Sequence, residues 1–124
     1  RQHEMVMVSH RDGGKLLWAD QKVAAPNIFS FMPPRERSHP NEKPVEMVQH
    51  FLRLHSQEGQ TVLAPFMGGG TTGVAAARMG RRFIGIEIDP EHFETACRRV
   101  DEAARQPDLL IAETRPAPVQ ESLL

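Results

Sequence analysis

The chain has 124 residues, 40% of them hydrophobic and 25% charged, which suits one small globular domain and leaves no room for two. With 15 Lys and Arg against 16 Asp and Glu the formal charge is -1, so composition provides no basic footprint for nucleic acid and such a partner has to be argued from motifs. Cys97 is the single cysteine, which excludes an internal disulfide; no apolar run approaches the roughly 18 residues a membrane helix needs, so the sequence reads as cytoplasmic with no membrane partner.

Met5 to Val8 is short, unbroken and apolar, as expected of a strand covered on both faces. A strand so near Arg1 implies a chain that continues upstream. Arg11-Asp12-Gly13-Gly14-Lys15 supplies turn residues and Leu16-Leu17-Trp18 a return strand, which predicts an N-terminal hairpin. Pro26, Pro33, Pro34, Pro40 and Pro44 predict a loop region from Ala24 to Pro44. Pro44 then opens a helix, with Val45, Val48, Phe51, Leu52 and His55 at helical spacing up to Glu58-Gly59.

Thr61 to Ala64 is predicted as a buried strand, and the small residues from Thr71 to Met79 as a helix able to lie close to a sheet, ended by Gly80. Phe83 to Ile88 is the next strand. Asp89 as N-cap and Pro90 at the first position start a last helix whose apolar stripe is Phe93, Ala96, Cys97, Val100 and Ala104, which places Cys97 in the core; Glu94 and Arg98 are spaced for a surface ion pair. Asp108 to Ala112 is a further short strand, and residues 113–124, with Pro116 and Pro118, read as a disordered tail. Strands alternating with helices from residue 44 onward indicate an α/β unit with a parallel sheet. The six histidines lack metal-ligand spacing, so no metal is expected.

The chemistry sits in TVLAPFMGGGTTGVAAARMGRRFIGIEID, residues 61–89. Gly68, Gly70 and Gly73 satisfy G-x-G-x-x-G between a strand and a helix, and Glu87 follows Gly68 by 19 residues at the end of the next strand. Glycines let a ligand approach the backbone, a helix start offers free N–H groups, and a carboxylate accepts hydrogen bonds from both ribose hydroxyls. An adenosine-bearing ligand is therefore expected, with a purely structural tight turn as the bland alternative.

With its neighbours, His39-Pro40-Asn41-Glu42-Lys43-Pro44 upstream and Pro65-Phe66 before the glycines, this region resembles the C-terminal half of an amino-group DNA methyltransferase, over residues 39–100. The resemblance implies an incomplete Rossmann-like, S-adenosylmethionine-dependent fold with DNA as partner and methyl transfer to an exocyclic amino group, adenine N6 in preference to cytosine N4. It implies three regions: residues 1–38 as the end of the catalytic half and a short recognition or connecting segment, 39–112 as the cofactor-binding region, and 113–124 as tail. Pro65, Phe66, Gly68 and Gly70 match the loop under the methionine part of the cofactor. Thr71 and Thr72 match the hydroxyls and helix-start N–H groups that meet its carboxylate, Lys43 a point charge for the same carboxylate, and Glu87 the ribose acid.

Two departures stand out. The Asp/Asn-Pro-Pro-aromatic tetrapeptide that would hold the target base is absent, so no catalytic residue is assigned and these residues alone are expected not to methylate; Met32-Pro33-Pro34-Arg35 lacks both outer residues. Ala64 stands where the family usually has an aspartate, which predicts weakened cofactor binding. A fragment, a degenerate remnant serving as scaffold or homo-oligomerisation module, and a subunit that completes its site with another chain all fit these departures; on the glycine pattern alone, a nicotinamide-dependent oxidoreductase fragment is a further alternative.

Overall fold

The computed structural model describes residues 5–9, 28–32 and 42–106. Within them lie helix α1 (Val45–His55), strand β1 (Thr61–Ala64), helix α2 (Thr71–Arg78), strand β2 (Arg82–Gly85) and helix α3 (Pro90–Arg105). The strands pair in parallel, with Thr61 opposite Arg82 and Ala64 opposite Gly85. Because α2 joins two parallel strands, this is a βαβ unit, the α/β class expected.

Local chemistry sets most boundaries. Pro44 precedes α1, and the helix stops when Ser56 turns extended, its main-chain N–H and its hydroxyl both donating to the Leu52 carbonyl. Asp89 caps α3 by accepting from the Glu91 and His92 N–H groups, with Pro90 at the first helical position. Gly80, at φ +69°, turns the chain out of α2.

Helix α2 is the hub. It lies on the sheet and has α1 and α3 packed along its sides. Its small side chains permit this: Gly73, Val74, Ala75 and Ala76 are buried, and the close approach of α3 buries Ala96 and Ala103 as well. Phe29 and Phe31 of the segment 28–32 pack beside α1, the Phe29 ring lying 4.2 Å from the ring of His50 and 6.0 Å from that of Phe51.

Several expectations are corrected. Neither strand is buried on both faces: Val62, Ala64, Phe83 and Gly85 are partly covered, whereas Leu63 and Ile84 are more than half exposed, because helices cover one face of the sheet only among the described residues. The second strand ends at Gly85 rather than Ile88, since the chain beyond it bonds to the loop after β1. Cys97 is exposed, not core. The inward stripe of α3 runs Ala96, Val100, Ala103, phased by contact with α2, and Cys97 lies about 100° around the helix from Ala96. On the same helix it is Asp101 and Arg105 that form an i,i+4 ion pair. Among the described residues Met5 to Val8 has no strand partner and is not a strand, with Met5 and Met7 almost fully exposed. The predicted turn at 11–15, the return strand at 16–18, the strand at 108–112 and the tail lie outside the described residues.

Candidate functional site

The loop between β1 and α2 is held from below by main-chain bonds. Ile86 N donates to the Ala64 carbonyl (3.0 Å), Met67 N to the Ile86 carbonyl (2.9 Å), and Gly70 N back to the Met67 carbonyl (2.9 Å). The turn this builds has Gly68 at φ +52° and Gly70 at φ +84°, left-handed conformations that favour glycine. Gly70 is the N-cap of α2 and carries no side chain, so no side-chain acceptor caps the helix. The N–H groups of a first turn without a side-chain cap, with the positive end of the helix dipole, are suited to an external anion.

Glu87 closes the other side. One carboxylate oxygen, Oε2, accepts from Gly68 N at 2.8 Å, and the other, Oε1, from Asp89 N at 3.0 Å. The acid is thus fixed beside the glycine turn, and each oxygen keeps a lone pair for a further donor. The Asp89 N–H above all, and the Gly68 N–H next, hold its pKa below the ordinary carboxylate value, against a smaller opposing effect of desolvation. The sign of the linkage follows. A depressed folded-state pKa stabilises the loop fully above the ordinary carboxylate pKa, and this contribution is lost as pH falls through the lower, folded value. The Gly68 amide resonance is therefore expected to titrate with the Glu87 carboxyl carbon, at a pH below that of a free glutamate; independent titration of the two would show that the bond does not form.

The predicted residues distribute as follows. Gly68 and Glu87 are in direct contact, and Gly70 lies two residues on in the same turn. Pro65 and Phe66 form an exposed lip, Phe66 being 93% exposed. Thr72 is half-buried at the helix start. Thr71 is buried, and its hydroxyl is directed inward at Glu42 Oε1, 3.4 Å away. Lys43, half-buried, follows Glu42 in the chain and precedes Pro44 at the start of α1.

Two residues that the sequence reading passed over bind this arrangement. Arg99 Nη1 donates to the Gly69 carbonyl at 2.5 Å, and Arg99 Nη2 pairs with Glu42 Oε1, the Glu42 side chain being 5% exposed. A signal was present in the helical spacing: Arg99 stands three residues after Ala96 and four before Ala103, on the inward side of α3. Among the described residues no three His, Cys, Asp or Glu side chains gather as a metal site, and no helix is long and apolar enough to cross a membrane.

Comparison with known proteins bears on the family and the fold. The profile of a family described as DNA methylase, of N6/N4 methyltransferase type, matches residues 4–98. The chain belongs to this DNA methylase family. It is 43% identical over 63 residues to the type II methyltransferase M2.DpnII of Streptococcus pneumoniae, covering 51% of this chain and 24% of that protein. To the DNA adenine methyltransferase YhdJ of Escherichia coli (strain K12) it is 34% identical over 108 residues, covering 82% of this chain and 36% of that protein. It thus spans only about a quarter to a third of the curated relatives it matches. Among solved structures, the crystal structure of an M1.HpyAVI–SAM complex superposes with a TM-score of 0.64 at 33% identity over 70% of this chain and 44% of that one. The cytosine-N4-specific PvuII DNA methyltransferase, at 20% identity and a TM-score of 0.56 over 65% of this chain and 37% of that one, shares the fold.

Proposed function

We propose that the chain is the S-adenosylmethionine-binding portion of a DNA methyltransferase that methylates an exocyclic amino group of a base, with adenine N6 as the target. The observation that carries the reading is the pairing of an uncapped helix start, fed by a left-handed glycine turn, with a strand-end carboxylate fixed beside that turn. The first offers N–H groups and a dipole to the cofactor's carboxylate, and the second offers acceptors to its ribose hydroxyls. Lys43 adds a positive charge for the same carboxylate, Thr72 a hydroxyl, and Thr71 its main-chain N–H. Pro65 and Phe66 line the mouth of the loop. The relation to the M1.HpyAVI–SAM complex and to an adenine methyltransferase supports both the cofactor and the target base.

When bound, the cofactor supplies an electrophilic methyl group on a sulfonium. The work of these residues is placement: they hold the donor at the ends of β1 and β2 so that an amino nitrogen can approach in line. No Asp/Asn-Pro-Pro-aromatic tetrapeptide is present to hold that amino group, so base capture belongs to residues other than these 124, in the same polypeptide or in a different, complementing chain.

Calorimetry on the 124-residue chain tests the reading. S-adenosylmethionine is expected to bind, S-adenosylhomocysteine to displace it and NADH to leave it in place, with no methyl transferred to DNA by this chain alone. Absence of binding at millimolar concentration, or displacement by NADH, overturns the assignment.

A further inference from the structure

We infer that Glu42 and Arg99 form a positioning brace, which sets the separation between the Lys43 segment and the glycine turn and so decides how firmly an amino-acid carboxylate is gripped. This rests on the cofactor reading above and adds to it two residues that act through the protein groups they hold.

The geometry is a chain of bonds through three parts of the fold. Arg99, on α3, uses one nitrogen for the Gly69 carbonyl in the turn and another for the Glu42 carboxylate ahead of α1. The same Glu42 oxygen faces the Thr71 hydroxyl at the start of α2. One planar guanidinium therefore joins the turn, the first residue of α2 and the segment before α1, using the divergent donors of its fork.

Two consequences follow for the site. The peptide unit between Gly69 and Gly70 is held at both ends, its carbonyl by Arg99 and its N–H by the Met67 carbonyl. The helix start that follows is thus aimed in one direction. At the same time Glu42 is anchored against Thr71, and since consecutive Cα atoms are about 3.8 Å apart, the backbone of Lys43 is held near that helix start. The positive groups assigned to the ligand's carboxylate, helix N–H groups on one side and Lys43 on the other, are then kept in register by a pair that is itself neutral overall. Because the Glu42 side chain is 5% exposed and that of Arg99 22% exposed, the pair is shielded from water and salt, and deleting one member leaves the other charge buried.

The test compares two ligands on the intact chain. S-adenosylhomocysteine carries the amino-acid carboxylate; 5′-methylthioadenosine keeps the nucleoside and lacks it. Arg99→Met is expected to weaken S-adenosylhomocysteine about tenfold while changing 5′-methylthioadenosine by less than about twofold. Arg99→Lys, which keeps the charge but not the fork, is expected to recover part of the loss, and Glu42→Gln combined with Arg99→Met to lose little beyond the single changes. A general loosening of the fold would weaken both ligands alike. Should circular dichroism show Arg99→Met unfolded, Glu42→Gln and Arg99→Lys carry the same two-ligand comparison. Equal losses on both ligands, losses on neither, or strictly additive effects overturn the brace while leaving the cofactor reading intact. Failure of the unsubstituted chain to bind S-adenosylhomocysteine strikes the cofactor reading itself.

Discussion

Glu87→Ala is expected to raise the dissociation constant for S-adenosylmethionine by about a hundredfold, because two ribose hydroxyls lose a charged acceptor at once. Glu87 also accepts the Gly68 and Asp89 N–H groups, so its removal frees the turn on which the rest of the ligand would lie. A sharper version of the prediction concerns Glu87→Gln. In a site where the carboxylate made only one contact, the amide would be a mild change. Here the two carboxylate oxygens accept from two different N–H groups, and an amide has a single oxygen with which to accept; its NH2 would face the other donor. Glu87→Gln is therefore expected to bind within a few-fold of Glu87→Ala. Calorimetry decides: binding by Glu87→Gln at the level of the unsubstituted chain would mean that the double acceptance has no part in holding the cofactor.

How much of the fold and of this candidate site is legible in the sequence depends on how local the determining interactions are. Asp89-Pro90 at the start of α3, Gly80 at the end of α2, and the glycines before α2 are instructions written within a few residues, since caps and left-handed turns are satisfied by the local chain. The pairing of Gly68 with Glu87 was legible for another reason: a βαβ unit returns the chain to the neighbouring parallel strand, so two strand ends some 20 residues apart become neighbours. What could not be read depends on the distance between elements. The stripe of α3 has several phases compatible with its apolar residues, and only the approach of Gly70 and Gly73 selects Ala96, Val100 and Ala103 over Cys97 and Ala104. Arg99 and Glu42 are 57 residues apart and meet only because α1 and α3 flank the same helix. That helices cover only one face of the sheet among the described residues was not foreseen, because a short, mostly apolar run looks the same whether one face or both are covered.

The approach of α3 to the turn yields the second large effect, on stability rather than binding. A Cβ added at Gly70 would lie 2.8 Å from both Cα and Cβ of Ala96, and the residue has φ +84°, a conformation unfavourable for L-residues. The obstacle is helix backbone, which cannot swing aside as a long side chain would. Gly70→Ala therefore combines the left-handed penalty with overpacking and is expected to destabilise by about 3 kcal/mol. Gly68, two residues earlier in the same turn, isolates the first of these terms. Its φ is +52°, and an added Cβ would meet nothing within 4 Å. Gly68→Ala is thus expected to lose only about 1 kcal/mol, all of it from backbone conformation. Thermal or urea unfolding of the two variants side by side separates the terms. A markedly lower midpoint for Gly70→Ala than for Gly68→Ala supports the contact between the turn and α3; equal midpoints would mean that α3 does not press on the turn, and the selection of its Ala96 face would then need another cause.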